Sequence, residues 1–228
     1  MPAAHRSPRL GHRLLRPALG TLAAGALAFP GVALAADPSK RPDREERSAP
    51  AQVQPVAGNP ADRMLSRPID PERYDRSTRC TRAPRAGTVA LQGWLERHAR
   101  GASWGIMRCE RLSAGNFSLH ADGRALDWHL DASNPADRRE AERLIALMLA
   151  PDRLGNPHAL ARRMGLQEII WDCRSWWAGS EGMDSYSVCL NGAGELRRRI
   201  DVTTAHRDHV HFGLSFAGAA RRTSFWAR

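Results

Sequence analysis

Apolar positions along the chain fall into short runs of two different periods. From Thr88, "TVALQGWLERHAR" sets Val89, Leu91, Trp94, Leu95 and His98 at helical spacing behind Thr88 as N-cap, which predicts an amphipathic helix. "SWGIMRCE" then reads as a short strand. In "NPADRREAERLIALMLAP" Asn134 is the cap, Pro135 sits in the first turn, Leu144, Ile145, Met148 and Leu149 supply the apolar face, and Pro151 ends the helix. "NPHALARRMG" repeats the Asn-Pro start and closes on Gly165, the residue expected just past a helix end. "LQEIIWD" and "DHVHFGLSF" are strand-length runs rich in β-branched and aromatic residues. Helices and strands mix without regular alternation, and this favours an α+β fold.

The polar and small-residue stretches outside these runs divide the chain. Residues 1–35 hold Arg6, Arg9, Arg13 and Arg16, then an apolar run from Leu19 to Val32, then Ala33-Leu34-Ala35, the three-part pattern of a cleaved secretory signal. The run is broken by Pro30 and is too short for a spanning helix, so no stable membrane anchor is expected after cleavage. Residues 36–77 are rich in Pro, Arg and Asp and poor in large apolar groups, which predicts a disordered tether. The folded domain is expected over 78–220, with 221–228 as a short tail.

Charge and cysteine content narrow the setting. The chain has a net charge of +10, and loss of the leader, with four arginines and no acid, lowers it to +6. No basic stretch is interleaved with aromatics as a single-strand groove would need, so no nucleic-acid partner is expected, and Arg197-Arg198-Arg199 reads as a solvated turn. An anionic envelope polymer suits this charge in an exported protein. Cys80, Cys109, Cys173 and Cys189 all follow the leader, and an even number in an oxidising compartment favours two disulfides. Of the three pairings, Cys80 with Cys109 and Cys173 with Cys189 join nearest neighbours. The sequence carries no sign of oligomeric state.

Two histidine clusters offer chemistry. "SLHADGRALDWH", residues 118–129, contains His120, Asp122, Asp127 and His129, and "TTAHRDHVHFGLS" contains His206, His209 and His211. In a strand His209 and His211 share one face, and Val210 and Phe212 the other. A hydrolytic zinc site needs three N or O ligands and one open position. His120, Asp127 and one histidine of the His-x-His pair can supply them, leaving the second as a base. Gly123 and Ala125 would permit a tight turn and close packing between ligands. Asp122 reads as a turn residue, Asp131 as a cap and His129 as a packing residue.

Ser118-x-His120-x-x-Gly123-x-Ala125-x-Asp127 resembles the signature of the M15 D-alanyl-D-alanine peptidases, and Asp208-His209-x-His211 the His-x-His element of the wider group that includes lysostaphin-type enzymes and hedgehog. The layout, with "RCE" before the first motif, is also similar to extensin-like C-terminal domains. The resemblance spans roughly residues 78–216 and implies a central, mostly antiparallel sheet flanked by helices. It further implies a Zn2+ held by His120, Asp127 and His211, with His209 catalytic, His206 a second active-site histidine and Ser118 orienting a ligand. The expected substrates are peptidoglycan stem peptides, met in the periplasm or outside the cell.

Two departures from the M15 pattern stand out. The Glu-x-Trp-His element that carries the base in many M15 enzymes is missing, so His209 would have to serve. The substrate-binding arginine upstream of the first motif could be Arg108 or Arg111. Trp171, Trp176 and Trp177 read as core or disulfide packing, with a cleft wall at "CRSWWAGSEG" as the other possibility. A non-catalytic envelope-binding domain is the alternative to an enzyme.

Overall fold

The computed structural model describes Gln54 and residues 56–227. The expected leader lies outside the described residues, as does most of the tether before residue 56. In chain order the elements are α1 (Ala86–His98), β1 (Ala102–Gly105), β2 (Arg111–Ser113), β3 (Asn116–Phe117), β4 (Ala125–His129), α2 (Pro135–Leu149), α3 (Ala159–Met164), β5 (Leu166–Trp171), β6 (Arg174–Trp177), β7 (Asp184–Ser185), β8 (His209–Leu214) and α4 (Phe216–Ala219). Six strands form one sheet in the order β1-β4-β8-β5-β6-β7, every neighbouring pair antiparallel, and β2 and β3 form a separate hairpin. The fold is α+β, as the mixed pattern of periods indicated.

Strand parity gives the sheet two unlike faces. Leu126 and Trp128 of β4, Val210 and Phe212 of β8 and Ile169 of β5 join Leu91 and Leu95 of α1, Leu144 and Met148 of α2 and Leu160 of α3 in one buried cluster. Burying each such side chain contributes about 1.5–3 kcal/mol, so this face holds the fold together. The other face carries Asp127 and His129, His209 and His211, Glu168 and Gly213. Little there could stabilise a fold by apolar burial.

Several local expectations are corrected. Thr88 is not the cap of α1: the helix begins at Ala86, and Thr88, buried in its first turn, donates its hydroxyl to the Gly123 carbonyl at 2.7 Å. Asn156-Pro157 does not open α3, because the Asn156 side chain closes a turn onto Asp152 and the helix starts after His158. Asn134 does cap α2, accepting from the amides of Ala136 and Asp137, and Gly165 ends α3 at φ +78°. Of the strand expected over residues 103–110, only the part up to Gly105 pairs in the sheet, within β1 (Ala102–Gly105).

The boundaries of the domain move outward at both ends. Residues 56–77, expected as tether, are strapped to the domain: Ala61 is in the core, and Glu72 links His158 to the Gly179 amide. Asp75 joins Gln167 to the Phe216 amide. The expected tail is packed as well, with Phe225 and Trp226 against the core and Ser224 bonded to Asp70. Composition underestimates this strap because its attachment is by specific polar pairs rather than by apolar area. Cys80 pairs with Cys109 and Cys173 with Cys189, the nearest-neighbour pattern. No helix among the described residues is long and apolar enough to cross a membrane.

Candidate metal centre

Antiparallel register sets the first two ligands side by side, since Asp127 on β4 lies directly across from His211 on β8, and His129 across from His209. His120 comes from the short 3-10 helix Leu119–Asp122, whose two ends are fixed by neighbouring residues. Ser118 accepts from the His120 amide at 3.4 Å, so it acts on the backbone of the turn and not on the imidazole. Gly123 closes the turn at φ +75°, and a Cβ there would lie 2.2 Å from the Ala83 carbonyl oxygen. Left-handed φ and this close approach together call for glycine. The bond from the Thr81 amide to the Ala121 carbonyl and the Cys80–Cys109 bridge clamp the outer side.

Three buried atoms converge. His120 Nε2, Asp127 Oδ1 and His211 Nδ1 are separated by 3.0, 3.1 and 3.0 Å. The remaining nitrogens settle the tautomers. His120 Nδ1, 2.8 Å from the Ile106 carbonyl, must donate to it, and His211 Nε2, 2.8 Å from Glu168 Oε1, donates to that carboxylate. With both rings neutral, three lone pairs face one another with no hydrogen among them. Such an arrangement suits a cation at its centre, and ligands 2.0–2.1 Å from a tetrahedral ion are roughly 3.3 Å apart, close to what is found. His120, Asp127 and His211 are therefore a group able to hold a metal ion. Glu168 behind His211 is the carboxylate that commonly fixes the orientation of a ligating histidine.

The electrostatics agree with this account. Burial works against the ionised form of Asp127, but the hydrogen bonds with His120 and His211 outweigh it and hold the carboxyl well below its usual range. Arg108 Nη1 also donates to Asp127 Oδ2 at 2.7 Å. Burial lowers the pKa of His120. For His211 burial is again overcome, by the carboxylates of Asp127 and Glu168, and its pKa is pushed up to about 9. Without a metal, the cluster draws its missing positive charge from a proton on His211.

His209 stands beside this group in a different state. Its Nδ1 is 2.7 Å from Asp208 Oδ1, and donation there leaves Nε2 as a bare acceptor, buried, with no hydrogen-bond partner and 3.5 Å from Asp127 Oδ1. His206, held at φ +52°, brings its ring to 4.6 Å from His209 and 5.7 Å from His211. Burial and these two neighbours lower its pKa to about 3. A cleft of about 480 Å³ opens over these residues, walled by Arg108, Tyr74, Trp177 and Tyr186 among others. A larger cavity of about 740 Å³ beside Met64, Trp94 and Leu147 shares no residue with it.

The residues set aside as non-ligands have other partners. Asp122 pairs with Arg124, Asp131 accepts from Ser133, and His129 stacks on Trp104 at 4.4 Å while donating to the Asp208 carbonyl. Of the two arginines, Arg108 reaches the centre, whereas Arg111 turns to the Ser113 carbonyl. The tryptophans divide: Trp171 and Trp176 are core, and Trp177 lines the cleft, edge-on to Tyr74. Two residues escaped the sequence analysis. Glu168 was legible only as a single acid in an otherwise apolar strand, and Gly213 lies beneath it, where a Cβ would come within 2.5 Å of Glu168 Cγ. Without side-chain bulk at 213, Glu168 can lie across the sheet to His211.

An antiparallel sheet with a buried His-Asp-His group on one face defines an α+β domain that carries a group able to hold a metal ion. Residues 82–195 match the family described as VldE, C-terminal domain, over half of the chain, and the chain belongs to that family. The matched span includes His120 and Asp127 and stops short of β8. No curated protein and no solved structure matches the chain.

Proposed function

We propose that the protein is an extracytoplasmic zinc metallopeptidase, related to the M15 enzymes, that hydrolyses peptide bonds in peptidoglycan. The observation that carries this reading is the convergence of three ligand atoms beside a histidine whose Nε2 has no hydrogen-bond partner among the described residues. A zinc ion bound by His120, Asp127 and His211 would polarise a scissile carbonyl and acidify water at its open position. His209, with its tautomer fixed by Asp208, takes the proton of the attacking water on Nε2 and returns it to the leaving amine. His206, neutral at physiological pH, supplies a hydrogen bond to charge that develops on the carbonyl oxygen. Arg108 donates to the second oxygen of Asp127 and so orients its carboxylate. Glu168 holds His211 in the ligating tautomer. The two disulfides fit an oxidising compartment, and the net positive charge an anionic wall.

The test is incubation of zinc-loaded protein with purified peptidoglycan, beside His120→Ala, and mass spectrometry of the muropeptides. New peptide termini that depend on His120 are expected and would identify the bond. An unchanged profile with one zinc bound per chain would overturn the catalytic reading in favour of an envelope-binding domain.

A further inference from the structure

A second cavity, of about 560 Å³, shares no lining residue with the cleft at the metal centre. Its walls are Arg79, Arg85, Arg124 and Arg222, and its floor is Phe216 with Ala86, Ala219 and Ala220. No acidic side chain lines it, and the first turn of α1, which starts at Ala86, has none either.

The four guanidinium groups are not equivalent. Arg124 is fully buried and engaged: Nε donates to both oxygens of Asp122, Nη1 to the Leu214 carbonyl and Nη2 to the Asp75 carbonyl. It also lies 4.2 Å above the Phe216 ring and so props the floor. Arg85 donates only Nε, to the Asp122 carbonyl. Arg79 and Arg222 are exposed and make no side-chain hydrogen bond or ion pair among the described residues.

Three cations without an acidic partner are thus held around one cavity by rigid backbone. Arg79 adjoins the Cys80–Cys109 bridge, the Arg85 amide is bonded to the Gly123 carbonyl, and the Arg222 amide to the Ala217 carbonyl. Arginines dispersed over a surface are adequately solvated by water. Gathering them from three separate segments over an aromatic floor concentrates positive potential where a compact anion can accept several charge-assisted bonds at once. Phosphate oxygens match the planar guanidinium donors best, and an alkyl or glycerol stem would rest on Phe216, which is 48% exposed.

We propose that this cavity binds a phosphate group carried on a glycerol-like stem, as found on phospholipid headgroups and on soluble phosphodiester polymers, and that it anchors the protein to such material. The site is independent of the peptidase reading.

The experiment titrates the full chain with sn-glycerol 3-phosphate by calorimetry, and with vesicles of phosphatidylcholine with and without phosphatidylglycerol by co-sedimentation. The variant Arg79→Glu/Arg222→Glu changes two exposed, unbonded side chains, and Arg198→Glu/Arg199→Glu makes the same charge change in an exposed turn. Retained melting temperature and an unchanged far-UV circular dichroism spectrum would establish that both variants are folded. Binding is expected to weaken at least about tenfold in the first variant and less than about twofold in the second. Binding of the soluble phosphate alone would identify a polymer as the source, and binding of anionic vesicles alone a lipid headgroup. Absence of both, or equal loss in the two variants, would overturn the proposal. Zinc-dependent cleavage of a soluble muropeptide should be the same in the first variant as in the parent chain.

Discussion

Two buried charged groups flank the same short turn and are built on opposite principles. Around Arg124, every guanidinium nitrogen has an acceptor: Nε meets Asp122, Nη1 the Leu214 carbonyl and Nη2 the Asp75 carbonyl. Around Asp127, acceptors outnumber hydrogens, and His120, His211 and Asp127 point lone pairs at a common centre. Residues 122 and 124 thus close a network, while 120 and 127 leave one open. A closed network fixes a structure, and an open one is able to take up a cation.

The sharpest way to break the comparison is His120→Ala, which should abolish both stoichiometric zinc, measured by elemental mass spectrometry, and muropeptide release. Unimpaired cleavage by that variant would mean that the open network is not the reactive centre. Next comes His209→Ala, which leaves all three ligands in place: zinc content should hold while kcat falls about 10²- to 10⁴-fold. The closed network responds differently. Arg124→Leu strands the Asp122 carboxylate in the interior, and urea denaturation should show a loss of about 3–5 kcal/mol. If stability instead stays level while zinc is lost, the two networks are not separable.

Smaller effects test the support behind the ligands. Glu168→Gln should weaken zinc binding about 10- to 100-fold in competition with a chelator, with less change in melting temperature of the metal-free protein than Arg124→Leu. The last prediction concerns pH. Metal-free His211 keeps its proton up to about pH 9, and an incoming ion must displace it. Apparent zinc affinity should therefore rise about tenfold per pH unit between 7 and 9 and then level off. Calorimetry in buffers of different ionisation enthalpy should register one proton released. Affinity independent of pH over that range would mean that His211 is already neutral.

How much of this was legible beforehand depended on the kind of signal. The face shared by His209 and His211 follows from strand parity alone, and Asn134 as a cap from its place before Pro135. His120 and Asp127 stand out because two polar side chains seven residues apart flank a glycine that only a sharp turn would require. Glu168 and Gly213 were hidden because their relation is across strands: neither residue is unusual until β5 and β8 are aligned. The strap before residue 78 was misjudged for a similar reason. Asp70, Glu72 and Asp75 look like solvated acids until their partners, 86 to 154 residues further on, are known.

That strap has a consequence for the order of events in the life of the chain. A polypeptide emerges from its N-terminal end, and the residues that receive Asp70 are at position 224, with Arg67 reaching the carbonyls of Ser224 and Ala227. The part of the strap around Asp70 cannot fasten until Ser224 is available, whereas Glu72 can already meet His158. Contacts of such span are slow to close. The strap therefore fastens in stages, from His158 to Ser224, as a clasp fastens only when both of its halves are at hand.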